Sequence, residues 1–232
     1  MNGIKREYFE EIDSTNEYAK ARRSAGEDLI VVAKTQTGGR GTKGRSFSSN
    51  EGGLYYTKLT FYKALPATRA FLIMQTAAAA VCETLAFFGL QAKIKWPNDI
   101  FVGGKKICGI LIENTFSGAF VSSSVVGIGL NIYNPLPEEL REIATTAFER
   151  TGKRFSLLEV ERVLTEHLCR EETAEKYARY LGWIREEVTL IVGEKRVRAT
   201  VLGVDETGGL IARTADGEKR FSAGEISLRT EV

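Results

Sequence analysis

The chain has 232 residues, 43% of them apolar and 27% charged, a balance that fits one large domain or a large and a small one and excludes a low-complexity chain. A net charge of +2 argues against a global basic field of the kind that grips nucleic acid, and a single histidine, His167, argues against a Ser-His-Asp triad and a His-rich zinc site. No apolar h-region marks a signal peptide, and no apolar stretch reaches the roughly 18–20 residues of a membrane span; Cys82, Cys108 and Cys169 are widely spaced and read as reduced packing residues, so a cytoplasmic location is expected.

In chain order, residues 8–12 alternate enough for a short strand. Ser14-Thr15-Asn16-Glu17 has the form of a capping box and opens a helix that runs through Ala21 toward Gly26. Residues 29–33 are a buried strand. It feeds a segment, 37–53, that carries six glycines and the cations Arg40, Lys43 and Arg45, with no acid before Glu51. Glycine permits close backbone approach, and guanidinium and amide groups can both point at an anion, so the segment suits phosphate or carboxylate; taken alone it fits a mobile, solubilising surface loop equally. Residues 39–46 read G-x-x-x-x-G-R-S, one residue from a P-loop, but Arg45 stands where the lysine belongs and a strand rather than a helix follows.

That strand covers 54–62. A long alanine-rich helix is predicted over 68–88, ended by Gly89, apolar enough to be central and buried. Short strands at 92–95 and 100–102 flank Trp96-Pro97-Asn98-Asp99, Gly103-Gly104 is a hairpin turn, and 107–113 and 119–132 are further strands. Short helices are expected over 135–150 and an amphipathic helical segment over 156–181. From 187 onward five short strands (188–192, 195–204, 209–214, 219–221, 225–229) suggest a small SH3-like barrel, which divides the chain at Gly182-Trp183 into domains 1–182 and 183–232.

Three clusters besides the glycine-rich segment can carry chemistry. Asn98 and Asp99 at a strand end could hold Mg²⁺ or ribose hydroxyls, or simply make the turn. Lys106 opens an apolar strand in which Gly109 removes a side chain from one face. Gly127-Ile128-Gly129-Leu130-Asn131 clears one face of another strand and ends it with an amide.

Together, Asp13-Ser14-Thr15-Asn16, Gln36 with Gly39-Arg40-Gly41 and Gly44-Arg45, Lys95-Trp96-Pro97-Asn98-Asp99, Lys106 to Leu111 and Gly127 to Asn131 resemble, in order and spacing, the biotin–protein ligases, and the resemblance covers nearly the whole chain. It implies an α+β fold: a mixed β-sheet catalytic domain flanked by helices, of the class II synthetase-like kind, with the small C-terminal barrel. It implies ATP and biotin as substrates with Mg²⁺, activation of biotin as biotinyl-5′-AMP, and transfer to the biotin carboxyl carrier protein of acetyl-CoA carboxylase. Ser14, Thr15, Asn16, Gln36, Gly39, Arg40, Gly41, Lys106, Gly109, Gly127 and Gly129 would bind biotin. Arg45, Phe47, Asn98 and Asn131 would bind the nucleotide, Tyr55 would pack against the ligand, and Asn98 and Asp99 would hold the metal. Lys106, Arg45 and Asp99 would be catalytic; the base for the acceptor lysine stays unassigned, with Asp99 the best candidate.

Two departures stand out: Thr42 replaces an arginine that the family associates with holding the adenylate, and Phe47 replaces a tryptophan. The chain begins at the catalytic core, so no DNA-binding domain, DNA partner or membrane partner is expected, while a homodimer stays open. A lipoate or octanoate ligase of the same fold is the alternative enzyme, although its arginine-rich, glycine-triplet signature is missing. A nucleic-acid-binding module is the alternative from another class, against which the missing basic face counts.

Overall fold

The computed structural model describes residues 4–170, 174–222 and 226–229. Its larger part is a seven-stranded mixed sheet built from β1 (Lys5–Ile12), β2 (Leu29–Gln36), β3 (Leu54–Pro66), β4 (Ala92–Lys95), β5 (Asp99–Val102), β6 (Lys105–Ser117) and β7 (Phe120–Leu130), in the order β1-β2-β3-β7-β6-β5-β4. β1 and β2 pair in parallel and every other neighbouring pair is antiparallel. A parallel pair needs a crossover, and helix α1 (Thr15–Ala21) supplies it. The antiparallel strands need only tight turns; Gly103 and Gly104, with φ of 55° and 80°, turn β5 into β6 as the sequence suggests.

One face of the sheet is dry. Tyr56, Ile100, Cys108, Ile110, Ile128 and Leu130 are buried on it, with α2 (Phe71–Phe87), α4 (Leu157–Leu168) and α5 (Ala174–Tyr180) packed in the same core. Ala77 to Ala80 let α2 lie close to its neighbours. The run Ala67–Phe87 is, by length and composition, apolar enough to cross a bilayer, contrary to the sequence expectation; just over half of it is buried inside the fold. The helix begins later than predicted because β3 continues to Pro66 past a bulge and Ala67–Arg69 forms a 3₁₀ turn. Over 135–150 the structure has one 3₁₀ turn, Glu138–Leu140, and the short helix α3 (Ala147–Thr151), which carries a complete capping box between Thr146 and Glu149. At Ser14 only half a box forms: the hydroxyl accepts from the Glu17 amide, while the Glu17 carboxylate turns to Lys20 and Arg40. The thiols of Cys82 and Cys108 are buried and held far above the usual range by that burial, whereas Cys169 is exposed and is no packing residue.

Beyond residue 186, β8 (Glu187–Val192), β9 (Lys195–Val204), β10 (Leu210–Thr214), β11 (Gly217–Phe221) and β12 (Ile226–Arg229) form an antiparallel sheet in the order β11-β10-β9-β8-β12. All five expected strands are present, although Glu225, in the last of them, lies outside the described residues. The predicted barrel does not close: β11 and β12 are opposite edges, and no pairing between them occurs among the described residues. β11 is exposed along most of its length and carries Lys219 and Arg220, so charge rather than closure protects that edge. The apolar residues Val188, Leu190, Ala199, Val201, Leu210 and Ala212 join the core of the large sheet instead. We propose the domain division at 182/183, because Gly182 still donates to Ile94 of β4 while Arg185 already donates to Val201 of β9.

The two sheets meet at the turn between β9 and β10. The Trp96 indole donates to the Gly208 carbonyl at 3.1 Å, and Gly208, with φ of 89°, sits so close to Phe71 that a Cβ would lie 2.2 Å from the ring. Asp205 organises this turn, accepting from the Thr207 and Gly209 amides, the Thr207 hydroxyl and the Arg220 guanidinium. Burial alone would raise the Asp205 carboxyl, but the Arg220 hydrogen bond, followed by those from Gly209 and Thr207, outweighs it and holds the group at about 2. A carboxylate depressed in the folded state stabilises above its unfolded value, near 3.8, and loses that contribution as pH falls toward about 2. Asp205→Asn is therefore expected to flatten the fall in unfolding midpoint between about pH 4 and pH 2, as read by urea titrations across that window.

Candidate active site

The wet face of the large sheet is built from small residues in register. Tyr55 of β3 pairs with Gly129 of β7, Gly129 with Gly109 of β6, and Gly109 with Asp99 of β5. One step along, Thr57 pairs with Gly127 and Gly127 with Leu111. Side chains alternate across a strand, so the same residues that send Tyr56, Ile128 and Ile110 into the core leave a trough on the other side. α1 and the glycine-rich segment roof this trough into a cleft of about 670 Å³, the size of a small-ligand site.

One end of the cleft is polar, uncharged and buried. Ser14, Thr15, Asn16 and Thr57 are at most 5% exposed. Asn16 stands over Gly127, where a Cβ would lie 2.1 Å from its amide oxygen. Its amide nitrogen donates to Glu113 at 3.1 Å and its oxygen accepts from the Thr57 hydroxyl at 2.8 Å. Thr57 also lies 2.8 Å from the Thr15 hydroxyl. Thr15 donates from its amide and its hydroxyl to the Gln36 oxygen, and Gln36 donates to Ser49, whose hydroxyl donates to the Phe47 carbonyl.

The glycine-rich segment is a small hairpin folded over the cleft. Arg40 and Ser46 form a bridge, Gly41 donates to the Arg45 carbonyl, and Lys43 at the tip has φ of 57°. Arg40 is ion-paired with Glu17 at 3.0 Å, and Arg45 folds back onto the Thr42 carbonyl and hydroxyl. The Phe47 ring fills the floor that Gly109 and Gly129 clear: a Cβ on Gly129 would lie 2.5 Å from it, and one on Gly109 3.2 Å. Gly39 does not line the cleft. A Cβ there would meet the Phe47 carbonyl and the Ser49 hydroxyl at 2.5 Å, so the absence of a side chain at Gly39 permits the hairpin to close.

The other end is electropositive. Arg40, Arg45, Lys95, Lys105 and Lys106 line the cleft against two acids, Asp99 and Glu142. Lys106 pairs with Asp99 at 2.7 Å, and its backbone is fixed by the 143–145 segment through the Ile143 carbonyl and the Thr145 amide. Asn98 donates its side-chain amide to the Ile110 carbonyl, and its own carbonyl accepts from the Ile110 amide. Asn131 is occupied at both ends, donating to the Thr145 carbonyl and accepting from Asn134. Tyr177 donates to the Pro97 carbonyl at 3.0 Å from behind, and the Trp96–Pro97 peptide is cis.

The structure thus gathers Ser14, Thr15, Asn16, Gln36, Arg40, Gly41, Arg45, Phe47, Asn98, Asp99, Lys106, Gly109, Gly127, Gly129 and Asn131, together with Tyr55, around one cleft. Sequence reasoning missed Thr57, Glu113, Ser49 and the wall formed by Leu136, Leu140 and Ile143. Thr57 carried a signal: it is the one aliphatic hydroxyl in the run Leu54-Tyr55-Tyr56-Thr57-Lys58-Leu59 and falls on the same face as Tyr55.

The model of the biotin/lipoate A/B protein ligase family matches residues 8–131, and that of the biotin protein ligase C-terminal domain matches 185–229. The bifunctional ligase/repressor BirA of Bacillus subtilis is 31% identical over 95% of this chain and 73% of its own length. The biotin–[acetyl-CoA-carboxylase] ligase of Paracoccus denitrificans is 27% identical over 92% of this chain and 96% of its own. The biotin protein ligase of Aquifex aeolicus, solved in complex with biotin and ATP, superimposes with a TM-score of 0.79 at 30% identity, covering 98% of this chain and 99% of that one.

The contact between Gly127 and Asn16 leaves no room for a methyl group. Gly127→Ala is expected to push the Asn16 amide off Thr57 and Glu113 and to destabilise the fold by about 1–3 kcal/mol, read as a lowered urea midpoint at unchanged slope.

Proposed function

The chain belongs to the biotin/lipoate A/B protein ligase family, and we propose that it is an ATP-dependent ligase joining biotin to a lysine of the biotin carboxyl carrier protein of acetyl-CoA carboxylase. One observation carries this reading: a single cleft has a buried, uncharged polar end and a cationic end that includes Lys106. Such a cleft suits a neutral ring bearing a carboxylate, presented to a polyphosphate.

The chemistry runs in two displacements. A biotin carboxylate oxygen attacks the α-phosphorus of ATP, the bond to pyrophosphate breaks, and biotinyl-5′-AMP forms. The acceptor lysine, as a neutral amine, then attacks the mixed anhydride carbonyl; AMP leaves, the amine gives up a proton and an amide remains. The first displacement brings two anions together, so its barrier is chiefly electrostatic, and fixed cations lower it. Lys106 is assigned to the biotin carboxylate and the α-phosphate, with Arg45 on the nucleotide phosphates. Ser14, Thr15, Asn16 and Gln36 are assigned to the biotin ring over the Gly127 and Gly129 floor.

Two sequence assignments change in this proposal. Asp99 is paired with Lys106 at 2.7 Å, so its part here is to hold the ammonium in place until substrate oxygens replace it. Asn131 has both ends of its amide engaged and fits a buttress of the nucleotide wall better than a phosphate contact. With Asp99 paired to Lys106, Mg²⁺ is expected to enter on the phosphates of ATP; Asn98 donates only its side-chain nitrogen to Ile110, so its oxygen stays available to the metal. The hairpin over residues 40–47 also excludes water, which would otherwise hydrolyse the anhydride.

The test is incubation with ATP, Mg²⁺, labelled biotin or lipoate, and a carrier domain. Biotin is expected to reach the carrier lysine and lipoate is not; label on neither would overturn the reading. Lys106→Ala is expected to slow biotinyl-AMP formation tenfold or more even at saturating substrates, since one charge-assisted contact contributes about 1.5–3 kcal/mol; a wild-type rate would remove Lys106 from the site. At position 42 a threonine hydroxyl engages Arg45 but brings no charge of its own. Thr42→Arg is expected to slow dissociation of preformed biotinyl-AMP about tenfold, followed by stopped-flow tryptophan fluorescence.

A further inference from the structure

The uncharged end of the cleft rests on a residue with no accessible surface. Thr57 lies on β3, 0% exposed, beneath the N-terminus of α1. Its hydroxyl is 2.8 Å from both the Thr15 hydroxyl and the Asn16 amide oxygen, and the Thr15 hydroxyl is 3.0 Å from the Gln36 oxygen. These three close oxygen–oxygen contacts share two hydroxyl hydrogens, so in any arrangement one of them has none. The Asn16 nitrogen is committed to Glu113 and the Gln36 nitrogen to Ser49, which fixes both amides with their oxygens toward Thr57 and Thr15. The sequence of bonds Glu113–Asn16–Thr57–Thr15–Gln36–Ser49 ends on the Phe47 carbonyl of the hairpin. A donor from a ligand that reaches the Asn16 or Gln36 oxygen supplies the missing hydrogen.

We propose that Thr57 is a positioning residue for the biotin pocket: its hydroxyl fixes the orientation of Asn16 and Thr15, the groups that meet the ring of the substrate. It touches no reacting atom. The alternative is that Thr57 is a packing residue whose hydroxyl matters only to the stability of β3. The two differ in what removal of the hydroxyl does. Loss of a packing hydroxyl lowers stability and leaves the ratio of biotin to ATP affinity alone. Loss of an orienting hydroxyl strands the Asn16 oxygen, lets Thr15 turn away from the cleft, and weakens biotin alone, because ATP sits at the cationic end.

This inference rests on the biotin ligase reading, and wild-type protein separates the two: if it binds no biotin, that reading fails before Thr57 is tested. The experiment is calorimetric titration of biotin, without ATP, into the full chain and into Thr57→Val and Thr57→Ser, with the KM for ATP and the urea midpoint measured on each. Thr57→Val is expected to bind biotin about tenfold more weakly, with the KM for ATP within about twofold of wild type, and Thr57→Ser to return within about threefold of wild-type biotin affinity. Biotin binding by Thr57→Val equal to wild type overturns the proposal. So does Thr57→Ser as weak as Thr57→Val, which would show that the hydroxyl alone does not preserve binding and that the site responds to packing at this position, and so does a parallel loss of ATP affinity. If Thr57→Val does not unfold cooperatively, Thr57→Ala takes its place with the same outcomes.

Discussion

The pairing of Gly109 with Gly129 across β6 and β7 is the constraint on which the rest of the molecule turns. A central sheet needs one face packed against helices, and strands in the middle of a sheet ordinarily fill both faces. Here Cys108, Ile110, Ile128 and Leu130 fill the face shared with α2, while the glycines interleaved with them leave the other face without side chains. The emptiness is created in register, because neighbouring strands place their glycines side by side. The site then gathers around that gap: Asn16 over Gly127, the Phe47 ring over Gly109 and Gly129, Lys106 and Asp99 at its rim.

The polar end and the charged end of the cleft obey different physics. Thr15, Asn16 and Thr57 are buried, so each must find a hydrogen-bond partner within the protein or in a ligand, and their orientations are fixed by that requirement. The cations at the other end are partly exposed. Lys106 meets Asp99, Arg40 meets Glu17 and Arg45 meets a carbonyl and a hydroxyl. Pairs of this kind at the surface contribute little to stability and exchange partners readily. They hold the cations near the site while leaving them free to turn to phosphate.

Much of this was legible in the sequence, and the reasons differ by residue. Gly109, Gly127 and Gly129 could be read because a glycine inside an apolar strand has few structural excuses, and Lys106 because a cation beside an apolar run has few places to go. The pairing of Asp99 with Lys106 was not legible, since it depends on the β5–β6 register and not on spacing. Thr57 and Glu113 escaped because each sits in an ordinary strand and acquires meaning only from α1 packed above it. The tight packing of Gly39 against Phe47 and Ser49 was not legible, because it depends on how the hairpin folds back. The C-terminal strands were recognised from their turns, but whether they close depends on edges that never meet along the chain.

The hydrogen bond from Trp96 to Gly208 spans 112 residues of sequence. A growing or truncated chain that stops short of residue 208 holds the complete cleft sequence yet leaves the Trp96 indole beside Asn98 and Asp99 without its acceptor. The turn that borders the cleft is therefore held in part from the C-terminal sheet, so the two sheets share one hydrogen bond at the edge of the site.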